Sequence, residues 1–396
     1  SPGAYATWQA HCPVREQTEA VGHAVRAMYL YSAMADLASE YEDDSLLATL
    51  RILWGDLTAK KMYLTGGIGS SESNEGFTEA YDLPNKAAYA ETCAAIGLIF
   101  WAHRMLQLDL KSTYADVMER ALYNGMLSGV SLDGDRFFYE NPLASEGHHH
   151  RQPFFKCSCC PPNLNRILPT IGSTIYSQGP QAIVTHLYIG NEATFTLGGS
   201  EVTLVQETDY PWDGVVCLRL QMDQPLDFTL KLRYPGWCQE ARGYLNGEAI
   251  SIGDHLEDGY IRLDRQWAPG DEVRLQFVMT VSRVYAHPKV TANRGRVALM
   301  RGPLVYCLEA VDHPVPLTAL SLPREAGFDC QFEPDLLGGV ITVQATANAL
   351  DISDEDQPLY QRTPPKTHPV KMTAIPYYAW DNRQPGEMLV WLPEAP

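Results

Sequence analysis

The stretch Cys157-Ser158-Cys159-Cys160-Pro161-Pro162-Asn163 lies close to the point where the periodicity of the chain changes. Residues 14–176 place apolar side chains mostly at helical spacings, and the two prolines predict the start of the last helix in this region. From residue 180 onward the apolar residues alternate with period two, and turn signals such as Asn246-Gly247 separate the runs. The sequence therefore predicts a helical region followed by antiparallel β-sheet.

Local signals place the individual elements of the helical region. They predict helices over residues 16–42, 45–57, 92–108, 112–129 and 161–178, and a short strand over 136–139. Ser45 and Thr92 are the predicted N-caps of the second and third helices. The glycine run at 66–69 is predicted to form a tight turn, because the lysine of a phosphate-binding loop does not follow it.

The chain is predicted to be a multidomain α + β protein. Its helical domain covers residues 1–177, a first β-sandwich covers residues 178–288, and a second β-sandwich covers residues 289–396. A closed double ring of six helix pairs needs about 12 helices and roughly 200 residues, so five helices make an incomplete ring. Since the chain starts at Ser1, directly before a helical pattern, we expect further sequence upstream.

Composition excludes some classes of partner. The chain has 396 residues, of which 45% are hydrophobic, enough for two or three domains with cores of their own. The net charge of −18 would repel a polyanion, so nucleic acid is excluded as the main partner and an uncharged substrate is favoured. No stretch approaches the about 20 apolar residues of a membrane helix, so we expect no membrane partner.

The nine cysteines do not resemble a disulfide framework. Their number is odd, and three of them fall within the four positions 157–160, where adjacent thiols rarely bridge each other. We therefore expect them to be reduced, which favours a cytoplasmic location.

A metal site is predicted from these thiols and one carboxylate. Zinc prefers four tetrahedral ligands from Cys, His, Asp or Glu. Cys93, Cys159, Cys160 and Glu91 supply three sulfurs and one oxygen, and Cys157 is not needed. Since positions i and i+2 point to different faces of a helix, Glu91 and Cys93 are expected at a helix start. The alternative is a group of inert buried thiols.

Acidic residues after the glycine run are candidates for acid–base chemistry. Glycoside hydrolysis needs a proton donor near the leaving oxygen and a second group at the anomeric carbon. Glu75 lies in a predicted loop, where such a donor is often presented, although a solvated acidic loop is the common alternative. His148-His149-His150 is either a ligand group or a surface loop, and His23 and Trp54 are by default core residues.

Seven motifs together resemble glycoside hydrolase family 127, whose best-known members are β-L-arabinofuranosidases. In chain order they are Pro13-Val14-Arg15-Glu16-Gln17, Ala20-Val21-Gly22-His23-Ala24-Val25-Arg26, Gly66-Gly67-Ile68-Gly69, Tyr81-Asp82-Leu83-Pro84-Asn85, Ala90-Glu91-Thr92-Cys93-Ala94-Ala95, Arg151-Gln152-Pro153 and the cysteine stretch quoted above. The resemblance implies part of an (α/α)6 barrel followed by two β-sandwich domains, with the first half of the barrel upstream of Ser1.

The resemblance also implies roles for individual residues. A zinc ion would bind Glu91, Cys93, Cys159 and Cys160, and Cys159 would be the nucleophile of a retaining hydrolase that releases L-arabinofuranose. Glu75 would act as the general acid and then as the base, while His23 and Tyr139 would contact the sugar or the nucleophile region. The expected substrate is an oligosaccharide or other glycoside.

Several alternatives stay open at this point. The substrate may be a different sugar, such as another furanoside or a branched acidic sugar. The chain may instead be a zinc-stabilised carbohydrate-binding protein without catalytic activity. A homodimer, and a separate upstream polypeptide that completes the barrel, are the partners considered.

Overall fold

The computed structural model describes residues 2–352 and 359–395. In these ranges the α-helices are Pro2–Thr7 (α1), Ala24–Glu40 (α2), Asp44–Lys60 (α3), Thr92–Leu108 (α4), Ser112–Arg120 (α5), Cys160–Ile167 (α6) and Ile252–His255 (α7). The strands β1 to β12 are Ala144–Glu146, Tyr176–Gly179, Ala182–Thr185, Asn191–Leu197, Ser200–Thr208, Val215–Gln221, Leu226–Arg233, Ala241–Leu245, Glu248–Ile250, Leu256–Glu257, Tyr260–Trp267 and Glu272–Phe277. The strands β13 to β21 are Val281–Val284, Arg296–Arg301, Leu304–Glu309, Leu320–Pro323, Asp329–Glu333, Val340–Leu350, Thr367–Pro376, Glu387–Leu389 and Leu392–Ala395. The predicted order of helices followed by strands is confirmed.

Helices α2, α3 and α4 share one hydrophobic core. Trp101 of α4 is fully buried, with its ring centroid 4.9 Å from that of Tyr31 on α2 and 5.0 Å from that of Trp54 on α3. Trp54 is thus a core residue, as its default interpretation predicts. Gly97 lets α4 approach α2 closely, because a Cβ atom at this position would lie 2.7 Å from the Cβ of Met28.

One predicted helix start and two predicted N-caps are wrong, whereas the predicted range of the third helix, 92–108, is confirmed. The helix predicted over 16–42 begins only at Ala24, because Gly22 has a φ of +72° and His23 is extended as the N-cap. Asp43, rather than Ser45, caps α3 by accepting hydrogen bonds from two backbone amides. The N-cap of α4 is Glu91 rather than Thr92, and α4 begins at Thr92.

The helix predicted over 112–129 changes its winding along its length. It is α-helical to Arg120, π-helical over Ala121–Met126 and 3-10 helical over Leu127–Gly129. Asn124, in the π-helical turn, donates a hydrogen bond to the Pro303 carbonyl and accepts one from the Val305 amide. This turn therefore attaches the helical region to β15 of the last domain.

Two sheets follow the helices and share a second hydrophobic core. One has the strand order β10-β11-β7-β3-β2, and the other has the order β4-β5-β6-β12-β8-β9. Leu204 and Leu218 of the second sheet belong to the same buried cluster as Leu230, Ile261 and Trp267 of the first. The predicted alternation of apolar residues is confirmed here, although β3 and β7 pair in parallel.

The remaining strands form a sheet that includes one strand from the helical region. Its order is β1-β20-β15-β19-β18-β16-β21-β14-β13, with further pairings of β17 with β18 and of β14 with β15. β1 precedes the cysteine stretch, and its Ser145 pairs with Met388 of β20. The C-terminal strands therefore hold the segment that leads into the cysteines.

Arg151 strengthens this attachment. Its buried guanidinium donates hydrogen bonds to the carbonyl oxygens of Ser128, Tyr378 and Trp380. Asp381 accepts a hydrogen bond from the Arg151 amide at 2.8 Å and contacts a ring nitrogen of His150 at 2.7 Å. The predicted strand at 136–139 is reduced to isolated bridges of Phe137 with Val130 and Gln152.

A buried ion-pair cluster joins the helical region to the middle sheets. Arg233, at the end of β7, is fully buried and contacts both Glu119 and, at 2.6 Å, Asp116 of α5. Glu119 also accepts a hydrogen bond from the Tyr210 hydroxyl at 2.6 Å. Since these charges lie between two domains, they connect the stability of one domain to that of the other.

Replacing this arginine should destabilise the protein strongly. In Arg233→Met the carboxylate of Glu119 stays buried without its main counter-charge, which typically costs about 3–5 kcal/mol. Arg219→Met is the matched control, since Arg219 pairs on the surface with Glu207 and Glu272, where about 0–1 kcal/mol is expected. Urea unfolding measures the free energy of unfolding of both variants. A similar decrease in the two would contradict the role given to Arg233.

No helix in the described ranges is both long enough and apolar enough to cross a membrane.

Candidate active site

The first half of the site is the N-terminus of α4. Glu91 is the N-cap, and Cys93 lies one residue inside the helix, so the side chains of both face the same buried space. The backbone here is held by a hydrogen bond from the Thr92 amide to the Tyr139 carbonyl at 2.9 Å. Asn141 also donates to the Thr92 hydroxyl oxygen at 3.0 Å. The prediction of a helix start for Glu91 and Cys93 is confirmed.

The second half is the N-terminus of α6. Cys159 is the N-cap, Cys160 is the first helical residue, and the two prolines follow in the first turn. Cys160 Sγ lies 3.5 Å from Cys93 Sγ and 3.7 Å from Cys159 Sγ. Oε1 of Glu91 lies 3.4 Å from Cys159 Sγ and 3.8 Å from Cys160 Sγ. Three thiols and one carboxylate therefore surround a single point.

The donors fit a tetrahedral zinc ion. Zn–S bonds of about 2.3 Å and Zn–O bonds of about 2.1 Å place tetrahedral ligands about 3.6–3.8 Å apart. The four ligand atoms lie within 4.8 Å of one another, with the closest pairs near the tetrahedral spacing. Oε2 of Glu91 is buried and has no hydrogen-bond partner, which is costly unless the carboxylate has a cationic partner. Cys157 is exposed and does not belong to this group.

The close packing of these groups shifts their pKa values in opposite directions. Burial, followed by the nearby charge of Cys159, raises the pKa of Glu91 to about 8. Hydrogen bonds from Cys160 and Cys93 lower the pKa of Cys159, whereas hydrogen bonding to Cys159 raises the pKa of Cys160. Among the three thiols, Cys159 is thus the one that its neighbours stabilise as a thiolate.

Glu75 lies beside this cluster on a tight turn. It has a φ of +49°, and its carbonyl accepts a hydrogen bond from the Ala24 amide at 3.0 Å. The next residue, Gly76, lies so close to Gly22 that a Cβ at Gly76 would be 1.8 Å from the Gly22 carbonyl oxygen. This contact fixes the turn against the start of α2 and brings Glu75 next to His23.

Three of the predicted site residues meet at the Glu75 carboxylate. Its Oε2 lies 3.4 Å from Nε2 of His23 and accepts a hydrogen bond from the Tyr139 hydroxyl at 3.3 Å. Single ligand atoms of His23, Glu75 and Glu91 lie within 4.8 Å of one another, so Glu91 connects this group to the thiols. The Glu75 side chain is 43% exposed, which leaves it accessible to a substrate.

The surroundings of His23 and Tyr139 are consistent with this geometry. Burial, followed by the charge of Arg26, lowers the pKa of His23, and its Nδ1 has no hydrogen-bond partner. Burial and hydrogen bonding to Cys159 raise the pKa of Tyr139, so its hydroxyl stays a donor. Tyr139 thus reaches both Glu75 and Cys159.

Sequence reasoning missed two residues of the site. Asn163 of α6 is buried, hydrogen bonds with Cys93, and leaves its Oδ1 without a partner. Its place after the two prolines in the cysteine stretch is the signal that could have identified it. The Tyr89 ring packs edge-on against Tyr139 with 5.9 Å between the centroids, and no sequence signal distinguishes it from a core tyrosine.

The three consecutive histidines do not join the metal-binding groups found among the described residues. His149 stacks on Phe138 and contacts the Glu140 carbonyl, and His150 contacts Asp381. The ring nitrogens of His149 and His150 hold the loop before the cysteines in place.

Three family descriptions match successive parts of the chain. Residues 2–173 match the β-L-arabinofuranosidase, GH127 catalytic domain, residues 182–279 the GH127 middle domain, and residues 281–393 the glycoside hydrolase family 127 C-terminal domain.

Characterised relatives are similar over almost the whole chain. The chain is 37% identical to a non-reducing end β-L-arabinofuranosidase of Bifidobacterium longum subsp. longum, over 97% of this chain and 61% of the relative. A crystal structure of a GH127 β-L-arabinofuranosidase from Geobacillus stearothermophilus T6 has a TM-score of 0.96 and 50% identity, over 99% of this chain and 63% of that one. A second structure, described as a glycoside hydrolase, has a TM-score of 0.93 and 34% identity, over 99% of this chain and 69% of that one.

The chain spans less than two thirds of the length of the Bifidobacterium and Geobacillus proteins. The matches nonetheless extend from the helical region to the last strands, through all three domain descriptions. The chain belongs to glycoside hydrolase family 127.

Proposed function

We propose that the protein is a retaining glycoside hydrolase that releases L-arabinofuranose from β-L-arabinofuranosides, with Cys159 as its nucleophile. The observation that carries this proposal is the contact between two groups of side chains. One group is the four-donor cluster around Cys159, and the other is the carboxylate of Glu75 with His23 and Tyr139. The Bifidobacterium and Geobacillus relatives are β-L-arabinofuranosidases, which supports the choice of sugar.

We propose the same architecture that the resemblance implies. Residues 1–177 would be part of an (α/α)6 barrel, and residues 178–288 and 289–396 would be two β-sandwich domains. The ranges matched by the three domain descriptions, 2–173, 182–279 and 281–393, support this division. The shared hydrophobic core of the two middle sheets supports the first sandwich.

We propose that Glu91, Cys93, Cys159 and Cys160 bind zinc. When bound, zinc keeps coordinated thiols deprotonated at neutral pH. The additional thiolate and carboxylate donors preserve electron density on the sulfur atoms, which keeps a nucleophile possible in such a donor set. The unpaired Oε2 of Glu91 and the spacing of the sulfurs support this assignment.

The first step forms a bond between Cys159 and the sugar. The Cys159 sulfur attacks the anomeric carbon while the bond from that carbon to the leaving oxygen breaks. Glu75 gives its proton to the leaving oxygen, so the alcohol departs neutral. Tyr139 contacts both residues, which suits a group that orients the acid and the sulfur together.

The second step releases the sugar. Glu75, now a carboxylate, takes a proton from water as the water oxygen attacks the anomeric carbon. The carbon–sulfur bond breaks, and its electron pair returns to Cys159. Two displacements at one carbon restore the original configuration, so the product is a β-anomer at first. His23 lies against Glu75 and is placed to contact a sugar hydroxyl.

The alternatives differ in what they leave unexplained. A zinc-stabilised binding protein would need no proton donor at the edge of the cluster, yet Glu75 is held there by a strained turn. A branched acidic sugar would place a carboxylate next to Glu75 and Glu91, which disfavours it. The homodimer, the upstream polypeptide and the cytoplasmic location stay predictions.

Metal content and turnover test the proposal together. The purified protein is expected to contain close to one zinc per chain and to release arabinose, initially as the β-anomer, from a methyl β-L-arabinofuranoside followed by proton NMR. Removing zinc with a chelator should abolish turnover, because the three thiols and Glu91 lose the cation that holds them together and positions Cys159, and adding zinc back should restore it.

Variants of the cluster provide the control. Cys93→Ala should lower the zinc content measured by elemental analysis, because it removes one of four ligands. Cys157→Ala should leave the content unchanged, since this thiol is exposed and outside the cluster. A protein that binds zinc but releases no sugar would be the binding protein, and metal-free protein with full turnover would remove zinc from the mechanism.

A further inference from the structure

A cleft with a volume of about 590 Å³ borders the turn that carries Glu75. Its lining includes the beginning of that turn, Ser70–Ser73, together with Glu140 and the β1 strand. Ser71 and Gly76 are bridged, so the cleft wall and Glu75 belong to one rigid turn. None of the metal-cluster residues lines this cleft.

Tyr89 connects the cleft to the catalytic groups. It lines the cleft, and its ring packs against that of Tyr139, which donates to Glu75. Tyr89 thus lies between Tyr139 and the lining of the cleft.

The position of the cleft relative to Glu75 assigns it a part of the substrate. A general acid must lie within hydrogen-bond distance of the leaving oxygen. The leaving group therefore lies on the Glu75 side of the anomeric carbon, away from Cys159. The cleft borders the Glu75 turn, and its volume is within the range of about 300–1,000 Å³ that small-molecule sites occupy.

The lining of the cleft carries mainly negative charge. Four carboxylates line it, those of Glu72, Asp82, Glu140 and Glu146, against one lysine, and that lysine, Lys86, is 2.6 Å from Glu146. Burial, followed by the charge of Glu72, raises the pKa of Glu140, so these two carboxylates affect each other. Burial lowers the pKa of His149, so its imidazole adds no positive charge at neutral pH.

We propose that this cleft binds the leaving group of the substrate, and that its carboxylates select neutral or cationic leaving groups and reject anionic ones such as uronic acids. This inference rests on the proposed function, because it places the leaving group beyond Glu75. Glu72 and Glu140 determine specificity here and take no part in bond cleavage. The cleft that they line accepts the hydroxyl groups of a further sugar residue.

Three substrates with the same arabinofuranosyl group test the proposal. They carry a methyl group, a neutral sugar or a uronic acid as the leaving group, and kcat/KM is measured for each with the zinc-loaded protein. Wild type should prefer the neutral sugar over the uronic acid, and 0.5 M salt should narrow this preference, because it screens partly exposed charges. In the double variant Glu72→Gln/Glu140→Gln, kcat/KM for the uronic acid substrate should rise about 10-fold relative to kcat/KM for the neutral sugar substrate.

A steric variant and a matched control complete the test. Ala87→Trp adds an indole to the exposed lining of the cleft and should lower kcat/KM for both sugar-linked substrates, with the methyl substrate changed less than about 2-fold. Glu192→Gln removes a carboxylate from an exposed strand position away from the cleft and should change no preference.

The outcomes separate this inference from the proposed function. The inference alone would be overturned if the methyl substrate is turned over but neither cleft variant changes kcat/KM for the two sugar-linked substrates. Absence of turnover with all three substrates would overturn the proposed function and, with it, the assignment of the cleft to a leaving group.

Discussion

Replacing Cys159 by alanine should reduce kcat/KM at least roughly 1,000-fold, because the variant has no group that can form the bond to the anomeric carbon. Cys159→Ser should be nearly as inactive. Its hydroxyl occupies the same N-cap position, but it is a far weaker nucleophile at neutral pH than a thiolate that its neighbours stabilise.

Cys157→Ala is the matched control for this experiment. Cys157 lies two residues before Cys159, is exposed, and is outside the four-donor cluster, so its replacement should leave kcat/KM within about 2-fold of wild type. Zinc content measured in each variant separates loss of the nucleophile from loss of the metal. Full activity in Cys159→Ala would overturn the assignment of the nucleophile.

Replacing Glu75 by glutamine should reduce kcat/KM for alkyl glycosides by about 100- to 10,000-fold, the usual contribution of general acid–base catalysis. The amide keeps the size of the side chain and its contacts with His23 and Tyr139 but donates no proton to the leaving oxygen. For an aryl glycoside with an acidic phenol, the same variant should reduce the rate of the first step much less, because this leaving group needs little protonation.

The matched control for Glu75 is Glu79→Gln, an exposed carboxylate in the same acidic segment. It should retain wild-type kinetics with both kinds of substrate. If Glu75→Gln reduces kcat/KM equally for alkyl and aryl glycosides, Glu75 orients the substrate rather than protonating the leaving oxygen.

Residue chemistry alone was enough to group the metal-binding candidates. Cys93, Cys159, Cys160 and Glu91 were selected because zinc prefers these donors, and the structure brings all four together. The helix start at Glu91 was also predictable, because a carboxylate and a thiol two residues apart cannot share one face of a regular helix. These predictions needed only local sequence, because Glu91 and Cys93 are two residues apart and Cys159 and Cys160 are adjacent.

The grouping of His23, Glu75 and Tyr139 depends on contacts between distant parts of the chain. Only the close approach of the Gly22 and Gly76 backbones places Glu75 beside His23. The sequence contains both glycines, but their mutual contact is a property of the packed structure. The motif resemblance suggested these residues, whereas spacing and periodicity alone favoured a solvated loop for Glu75 and a core position for His23.

The links between domains were beyond sequence reasoning for the same reason. The pairing of β1 with β20 and the contacts of Arg151 with Tyr378 and Trp380 join segments more than 200 residues apart. Helix starts were misplaced where a side chain or a left-handed glycine decided the cap, as at Asp43 and Gly22. Periodicity reports which face of an element is buried, but not the partner against which it is buried.

The central claim, that Cys159 becomes bonded to the sugar, is tested most directly by mass spectrometry of the trapped intermediate. Glu75→Gln mixed with an activated aryl arabinofuranoside should accumulate the intermediate, because the second step lacks its base. After rapid acid quenching and proteolysis, the peptide that contains Cys159 should carry the added mass of one pentosyl group, and fragmentation should place it on Cys159. An adduct on Glu91 or another carboxylate, or release of an inverted sugar without any adduct, would contradict the account.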